Sequence, residues 1–288
     1  MRIPFVLADV FTDRPLAGNQ LMVVTDASGL TGDRMQELAR EIGFSESTFV
    51  LSANGDRYAM RIFSPGYEMP FAGHPTLGTA FVLATDGRIG TTATQEVPAG
   101  EFAVEVDLAG DTVKVRQLAP EFGDELTGDH RDRVAAAIGL NPDELDPGNP
   151  PQPVSTGLRH LMVPIASPDA VVRAEMRSSE VAAINAGLGC DALYLFAVTD
   201  EGAKARLFAP GVTVSEDPAT GSAAGPCGAY MAARGLGRMP GSMTIRQGDE
   251  IGRPSTLHVT VEPEGDSWSV LVGGGVRIVA RGEFDLPD

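Results

Sequence analysis

Two stretches of the chain, about half its length apart, repeat one pattern, and that repeat limits the possible folds more than any other feature. The first reads Arg61-Ile-Phe-Ser-Pro-Gly66, an acidic loop, then GHPTLGTAFVLATDG from Gly73 to Gly87. The second reads Arg206-Leu-Phe-Ala-Pro-Gly211, a longer acidic loop, then GSAAGPCGAYMAARG from Gly221 to Gly235. A repeat of this length is one whole structural unit used twice, not a solenoid of small modules. No charged residue occurs from Pro75 to Thr85 or from Pro218 to Ala233. A helix that is apolar all round belongs in a core, so each half is expected to roll a curved sheet around one central helix. Pro226 is tolerable only near a helix start, which places the second helix start near Ser222 or Ala223.

The flanking patterns repeat as well. In the first half, Ile3–Thr25 reads as two short strands broken at Arg14-Pro15 and Gly18-Asn19. A helix follows over Thr31–Ile42, stopped by Gly43, and then strands at Ser47–Leu51 and Tyr58–Phe63. In the second half, His160–Ile165 reads as a strand and Ser179–Ala186 as a helix ended by Gly187. Strands are expected at Ala192–Val198 and Ala203–Phe208. Hairpin strands follow each central helix, Glu101–Leu108 with Thr112–Gln117 and Leu257–Val261 with Trp268–Val272. A helix at Arg131–Gly139 and the Pro-rich run DPGNPPQP stand between the halves, and that run is the expected linker. A last strand at Val276–Ala280 is expected to return to the first half. The fold class is therefore α/β of the α+β type, with two pseudo-symmetric halves of mostly antiparallel sheet. The expected domains are 1–118 with 276–288, and 119–275, with the active site in the cleft between them.

Composition narrows the function. Lys and Arg number 22 against 39 Asp and Glu, a formal charge of -17, which leaves no basic footprint for nucleic acid. No uncharged run reaches membrane-spanning length, and MRIPFVLADVF lacks the form of a signal peptide, so a cytoplasmic protein is expected. Cys190 and Cys227 are the two cysteines, too few for a disulfide framework or a zinc cluster, and both read as buried thiols.

Both helix starts are preceded by a glycine, Gly73-His74 and Gly221-Ser222, and Pro75, directly after His74, sits where a first helical residue is favoured. Glycine lets a ligand approach the backbone, and free amides at a helix start attract anions. His74 reads either as an acid, base or donor to substrate, or as a cap. Asp217 and Glu216, in SEDPATGS, read as helix caps or as site carboxylates. Ser222 reads as an N-cap and has no G-x-S-x-G context for a nucleophile. Glu46, in GFSESTFV between Phe44 and Phe49, reads as an exposed edge residue or as a partly desolvated carboxyl of raised pKa. Its counterpart in the repeat is Asp191, in GCDALYL.

The runs FTDRPLAGNQLMVV, GFSESTFV, MPFAGHPTLGTA and SEDPATGSAAGP resemble those of the phenazine-biosynthesis (PhzF-like) isomerase family, whose fold is similar to that of diaminopimelate epimerase. The resemblance spans essentially the whole chain. It implies an isomerase without metal or cofactor, similar to trans-2,3-dihydro-3-hydroxyanthranilate isomerase. In it Glu46 shuttles a proton and His74 and Asp217 complete the catalytic set. Gly73, Gly221 and Ser222 hold a small carboxylate substrate. A homodimer is expected, with neither nucleic acid nor membrane as a partner. The epimerase branch carries a thiol at the start of each central helix, where this chain has Ala72 and Thr220, so one carboxylate is favoured over two thiols. The alternatives are an isomerase or epimerase of another small carboxylate, and a non-catalytic ligand-binding protein that keeps the fold.

Overall fold

In the computed structural model, which describes residues 1–210 and 215–286, the chain divides into two compact units. Met1–Arg116 with Gly273–Asp288 form the first, and Gln117–Val272 form the second. Gly211, the end of the second Arg-to-Gly motif, lies outside the described residues.

The first unit begins with β1 (Arg2–Val10) and β2 (Asn19–Val24), followed by α1 (Gly32–Ile42), β3 (Glu46–Phe63) and β4 (Glu68–Met69). The central helix α2 (Gly73–Thr85) comes next, and then β5 (Ile89–Val97), β6 (Gly100–Asp107) and β7 (Thr112–Arg116). Two pairings are parallel, β2 with β3 and β3 with β5; β1–β2, β3–β4, β5–β6 and β6–β7 are antiparallel. α1 is bounded as its sequence dictates. The Thr31 hydroxyl accepts from the Arg34 amide at its start, and Gly43 takes a left-handed φ of 71° at its end, a conformation glycine adopts without steric cost. The two strands expected at Ser47–Leu51 and Tyr58–Phe63 form one continuous β3, with Gly55 at φ 64° between them.

The second unit contains β8 (Glu121–Phe122), α3 (Asp129–Ala137), β9 (Gln152–Ser155), β10 (Arg159–Pro164), α4 (Pro168–Arg173) and α5 (Ser178–Leu188). β11 (Ala192–Val198), β12 (Gly202–Phe208) and β13 (Glu216–Asp217) lead to the central helix α6 (Gly221–Arg234). β14 (Gly241–Gln247), β15 (Ser255–Glu264) and β16 (Ser267–Asp285) complete the chain. The pairing repeats that of the first unit: β10 runs parallel to β11 and β12 to β14, with antiparallel ladders elsewhere. Three expectations are corrected. α5 runs through Gly187 and ends at Gly189, the residue with the left-handed φ of 62°. Segment 146–153 is inside the second unit and is no linker; the Tyr230 hydroxyl donates to the Pro150 carbonyl and the Leu126 amide to that of Pro151. The strands expected at Trp268–Val272 and Val276–Ala280 are one strand, β16, whose residues from Val276 to Asp285 pair with β1.

Each central helix is the core of its unit. α2 is buried from Gly73 to Ala84 and packs against β1, β2, β3, β5, β6 and β7. α6 packs against β9, β10, β11, β14 and β15. Fully burying side chains such as Leu77 and Leu83, each 0% exposed, stabilises by about 1.5–3 kcal/mol apiece. The sheets approach so closely that glycine is required on both helices. A Cβ on Gly78 would lie 2.5 Å from Leu21 Cδ2, and one on Gly228 2.6 Å from Val259 Cγ1.

Candidate active site

The first half-site is built where β2, β3 and α2 begin. Ala72 is the N-cap of α2 and supplies no side-chain hydrogen bond, and the first turn carries no acidic residue. The positive end of the helix dipole is thus left without a built-in counter-charge. His74, the second residue of the helix, is 5% exposed and does not cap it. Asn19, at the start of β2, orients the ring. Its Oδ1 accepts from the Ser45 hydroxyl at 3.2 Å, which leaves its Nδ2 to donate to His74 Nδ1 at 3.3 Å. An imidazole that accepts at Nδ1 carries its hydrogen on Nε2. His74 Nε2 stands 3.6 Å from Glu46 Oε2, beyond hydrogen-bond range, in a separation that can tighten when substrate is bound.

Glu46 opens β3 with a side chain 18% exposed, and its Oε2 is buried without a hydrogen-bond partner. Burial raises its pKa from 4.5 to about 6, against a smaller opposing contribution from the Ser45 hydroxyl. Water solvates the carboxylate form much better than a protein interior does, so the neutral acid is favoured and proton exchange moves toward neutrality. The edge reading of Glu46 is therefore corrected.

The second half-site has the same frame and different contents. Thr220 is the N-cap of α6, again without a side-chain cap bond and without an acidic first turn. The helix starts at Gly221, one or two residues before the expected place, and Pro226 lies inside it. Since the proline has no N–H, the Ser222 carbonyl lacks its helical donor. Asp217 sits in β13 and accepts from the Thr220 hydroxyl, so it fixes the loop before the helix instead of capping the helix. Gln247, fully buried at the end of β14, latches this loop. It donates to the Asp217 carbonyl at 2.7 Å and to Thr220 Oγ1 at 3.1 Å, and accepts from the Tyr194 hydroxyl at 3.1 Å. Glu216 does not cap either; Arg206 holds it with two 2.8 Å bonds. Ser222 is the second residue of α6, not its N-cap, and its Oγ lies 3.2 Å from His160 Nε2.

The half-sites match in one further respect. In each, a polar side chain at the start of a strand hydrogen-bonds the second residue of the central helix, Asn19 to His74 and His160 to Ser222. Asn19, His160 and Gln247 were not marked as site residues by the sequence. Asn19 lies in a quoted run, AGNQ, and directly follows a predicted break, the one available signal for it. Both cysteines are buried. Burial pushes the Cys190 thiol up to about 11 and that of Cys227 further up, the opposite of an activated thiolate. Among the described residues, no three His, Cys, Asp or Glu side chains are grouped as a metal ligand set requires, and no helix is long and apolar enough to cross a membrane.

The chain is similar to known proteins over nearly its whole length. A family model described as "Phenazine biosynthesis-like protein" (PhzC-PhzF) matches residues 8–282. The trans-2,3-dihydro-3-hydroxyanthranilate isomerase of Pseudomonas aeruginosa is 36% identical over 301 residues, covering 98% of this chain and 99% of that one. A Clostridium acetobutylicum protein named as an uncharacterized isomerase is 31% identical, covering 96% of each chain. The crystal structure of a Bacillus anthracis phenazine biosynthesis protein of the PhzF family superposes with a TM-score of 0.88 at 30% identity, covering 99% of this chain and 100% of that one.

Proposed function

The chain belongs to the phenazine biosynthesis-like family of isomerases, and from that premise we propose that Glu46 moves a proton between two carbons of a small cyclic amino or hydroxy carboxylic acid. The observation that carries this reading is the buried Glu46 carboxyl, raised to about 6, beside His74 at an uncapped helix start. A carboxyl near 6 is ionised often enough to abstract a carbon-bound proton at neutral pH, and as the acid it returns that proton readily. His74, with its hydrogen on Nε2, donates to the charge that develops on the substrate. The amides of Gly73 and His74 add fixed donors, which stabilise that charge without reorganisation. This chemistry requires neither a metal nor a cofactor.

In the same proposal Asp217, Ser222 and the Gly221 amide act on the same substrate molecule. Support comes from each half-site alone: the first holds a base and a donor, and the second holds donors at an uncapped helix start. Replacement of Asp217 by Asn and of Ser222 by Ala should then raise KM or lower kcat for one and the same substrate. An epimerase working through two opposed thiols is disfavoured, because Ala72 and Thr220 occupy the N-caps and both cysteines are buried.

The test is Glu46→Gln assayed with trans-2,3-dihydro-3-hydroxyanthranilate and related carboxylates. Turnover should fall by roughly 10²–10⁴-fold, the scale of general acid–base catalysis. In deuterated water the wild type should return part of the original hydrogen to the new carbon, because a buried carboxyl exchanges slowly with solvent. Near-normal turnover in Glu46→Gln removes Glu46 from the mechanism.

A further inference from the structure

His160 is buried, 3% exposed, at the start of β10, and its two ring nitrogens are unequally served. Nε2 lies 3.2 Å from Ser222 Oγ, while Nδ1 is buried with no hydrogen-bond partner. A neutral imidazole carries one N–H, and the unpaired nitrogen decides which side bears it. With the hydrogen on Nδ1, the protein would bury an unpaired donor, a situation that folded proteins rarely tolerate. With the hydrogen on Nε2, only a lone pair is left unmatched and the N–H is spent on Ser222. Burial also drives the pKa of His160 down to about 4, so the ring is neutral near neutral pH.

We infer that His160 is a positioning residue that donates from Nε2 to Ser222 and thereby turns the Ser222 hydroxyl into an obligatory hydrogen-bond donor toward an anionic group of the substrate. With one oxygen lone pair taken by His160, the Ser222 hydroxyl hydrogen points to another acceptor. His160 is the one side chain among the described residues that hydrogen-bonds this hydroxyl. That hydrogen joins the amides of Gly221 and Ser222 at the uncapped start of α6. These three hydrogens together suit a carboxylate or a developing enolate oxygen better than an amide N–H in the same place. The ligand class rests on the isomerase reading above; the tautomer does not.

Two measurements on the full chain test the inference. With ¹⁵N-histidine labelling, the His160 ring should show its hydrogen on Nε2, the signal being assigned by its loss in His160→Gln. A hydrogen on Nδ1 overturns the proposal whether or not any ligand binds. Calorimetry with 3-hydroxyanthranilate as the probe gives the second readout. His160→Leu should weaken binding by about tenfold, the loss of one hydrogen bond. His160→Gln, whose amide reaches Ser222 as a donor, should restore most of it. In a Ser222→Ala background His160→Leu should add nothing, because its effect passes through Ser222. Additive losses, or no rescue by Gln, overturn the positioning role. If His160→Leu does not fold, the Gln variant and the tautomer still decide. Failure of the folded wild type to bind the probe counts against the isomerase reading and leaves the tautomer result standing.

Discussion

Glu46→Gln should make the protein more stable while it removes the proton carrier, and the structure gives the size and pH range of the gain. Burial raises the Glu46 carboxyl from 4.5 to about 6 in the folded chain. Below pH 4.5 the carboxyl is neutral in folded and unfolded chains alike and costs nothing. As pH rises through this interval the unfolded chain ionises first, and above 6 the folded chain must hold a buried carboxylate. Each pH unit of that difference is worth about 1.36 kcal/mol, so the full penalty is about 2 kcal/mol at pH 7–8. Glutamine has nearly the same shape and cannot ionise, so it escapes this penalty. Urea unfolding of both proteins from pH 4 to 8 is the assay. The stability of Glu46→Gln minus that of the wild type should grow by about 2 kcal/mol between pH 4.5 and 7, whatever constant offset the new amide brings. A difference that stays flat across this range would show that Glu46 has an ordinary carboxyl pKa, and the argument for it as proton carrier would go with it.

Other outcomes follow from the same structure. Because the proposed base must be ionised, kcat/KM should fall about tenfold per pH unit below about 6, and a profile flat down to pH 5 would contradict the assignment. Arg206→Met should cost about 3–5 kcal/mol, read from urea midpoints, because Arg206 is buried and also donates to the carbonyls of Val171, Val172 and Ala174. The matching Arg61→Met should cost no more than about 1 kcal/mol, since Arg61 and Glu68 are 30% and 33% exposed; equal losses would refute burial as the deciding factor. Gly78→Ala should destabilise by about 1–3 kcal/mol, since its Cβ would meet Leu21 and Val10 side chains packed against α2.

The frame was legible because it is written in long-range periodic signals. Uncharged runs of helical length can only be cores, and glycines beside them mark starts and stops, so α2 and α6 were found within two residues of their observed beginnings. Where the sequence misled, a local signal competed with a stronger one. Gly187 looks like a helix stop, yet the chain turns left-handed at Gly189. The prolines of 146–153 look like a linker, yet the Tyr230 hydroxyl ties them into the second unit. Glu46, His74, Asp217 and Ser222 could be singled out as residues of reactive type near glycines. Asn19, His160 and Gln247 could not, because a polar residue inside a strand shows its purpose only through what it faces.

The two half-sites also explain why one base is a better reading than two. Both units keep a helix start without a side-chain cap, but the Glu46–His74 pair has no equal in the second. Glu46 has a buried carboxyl oxygen beside His74, whereas its counterpart Asp191 is an exposed residue whose carboxylate accepts from the Arg159 amide. His74 is matched on the second helix by Ser222, whose hydroxyl does not titrate near neutral pH. The imidazole of the second half, His160, sits on a strand and is held neutral by burial. A racemase needs two opposed acid–base groups; near the start of α6 this chain has Asp217, whose carboxylate accepts from the Thr220 hydroxyl, and His160, held neutral by burial. What the start of α6 offers is hydrogen-bond donors with no side-chain cap, the feature behind the proposal that it holds an anion. A single carboxyl that takes a proton and returns it on the same face of the substrate fits a shift between two carbons. On the proposed mechanism it does not invert one carbon, and that is the argument for a proton shift over an epimerisation.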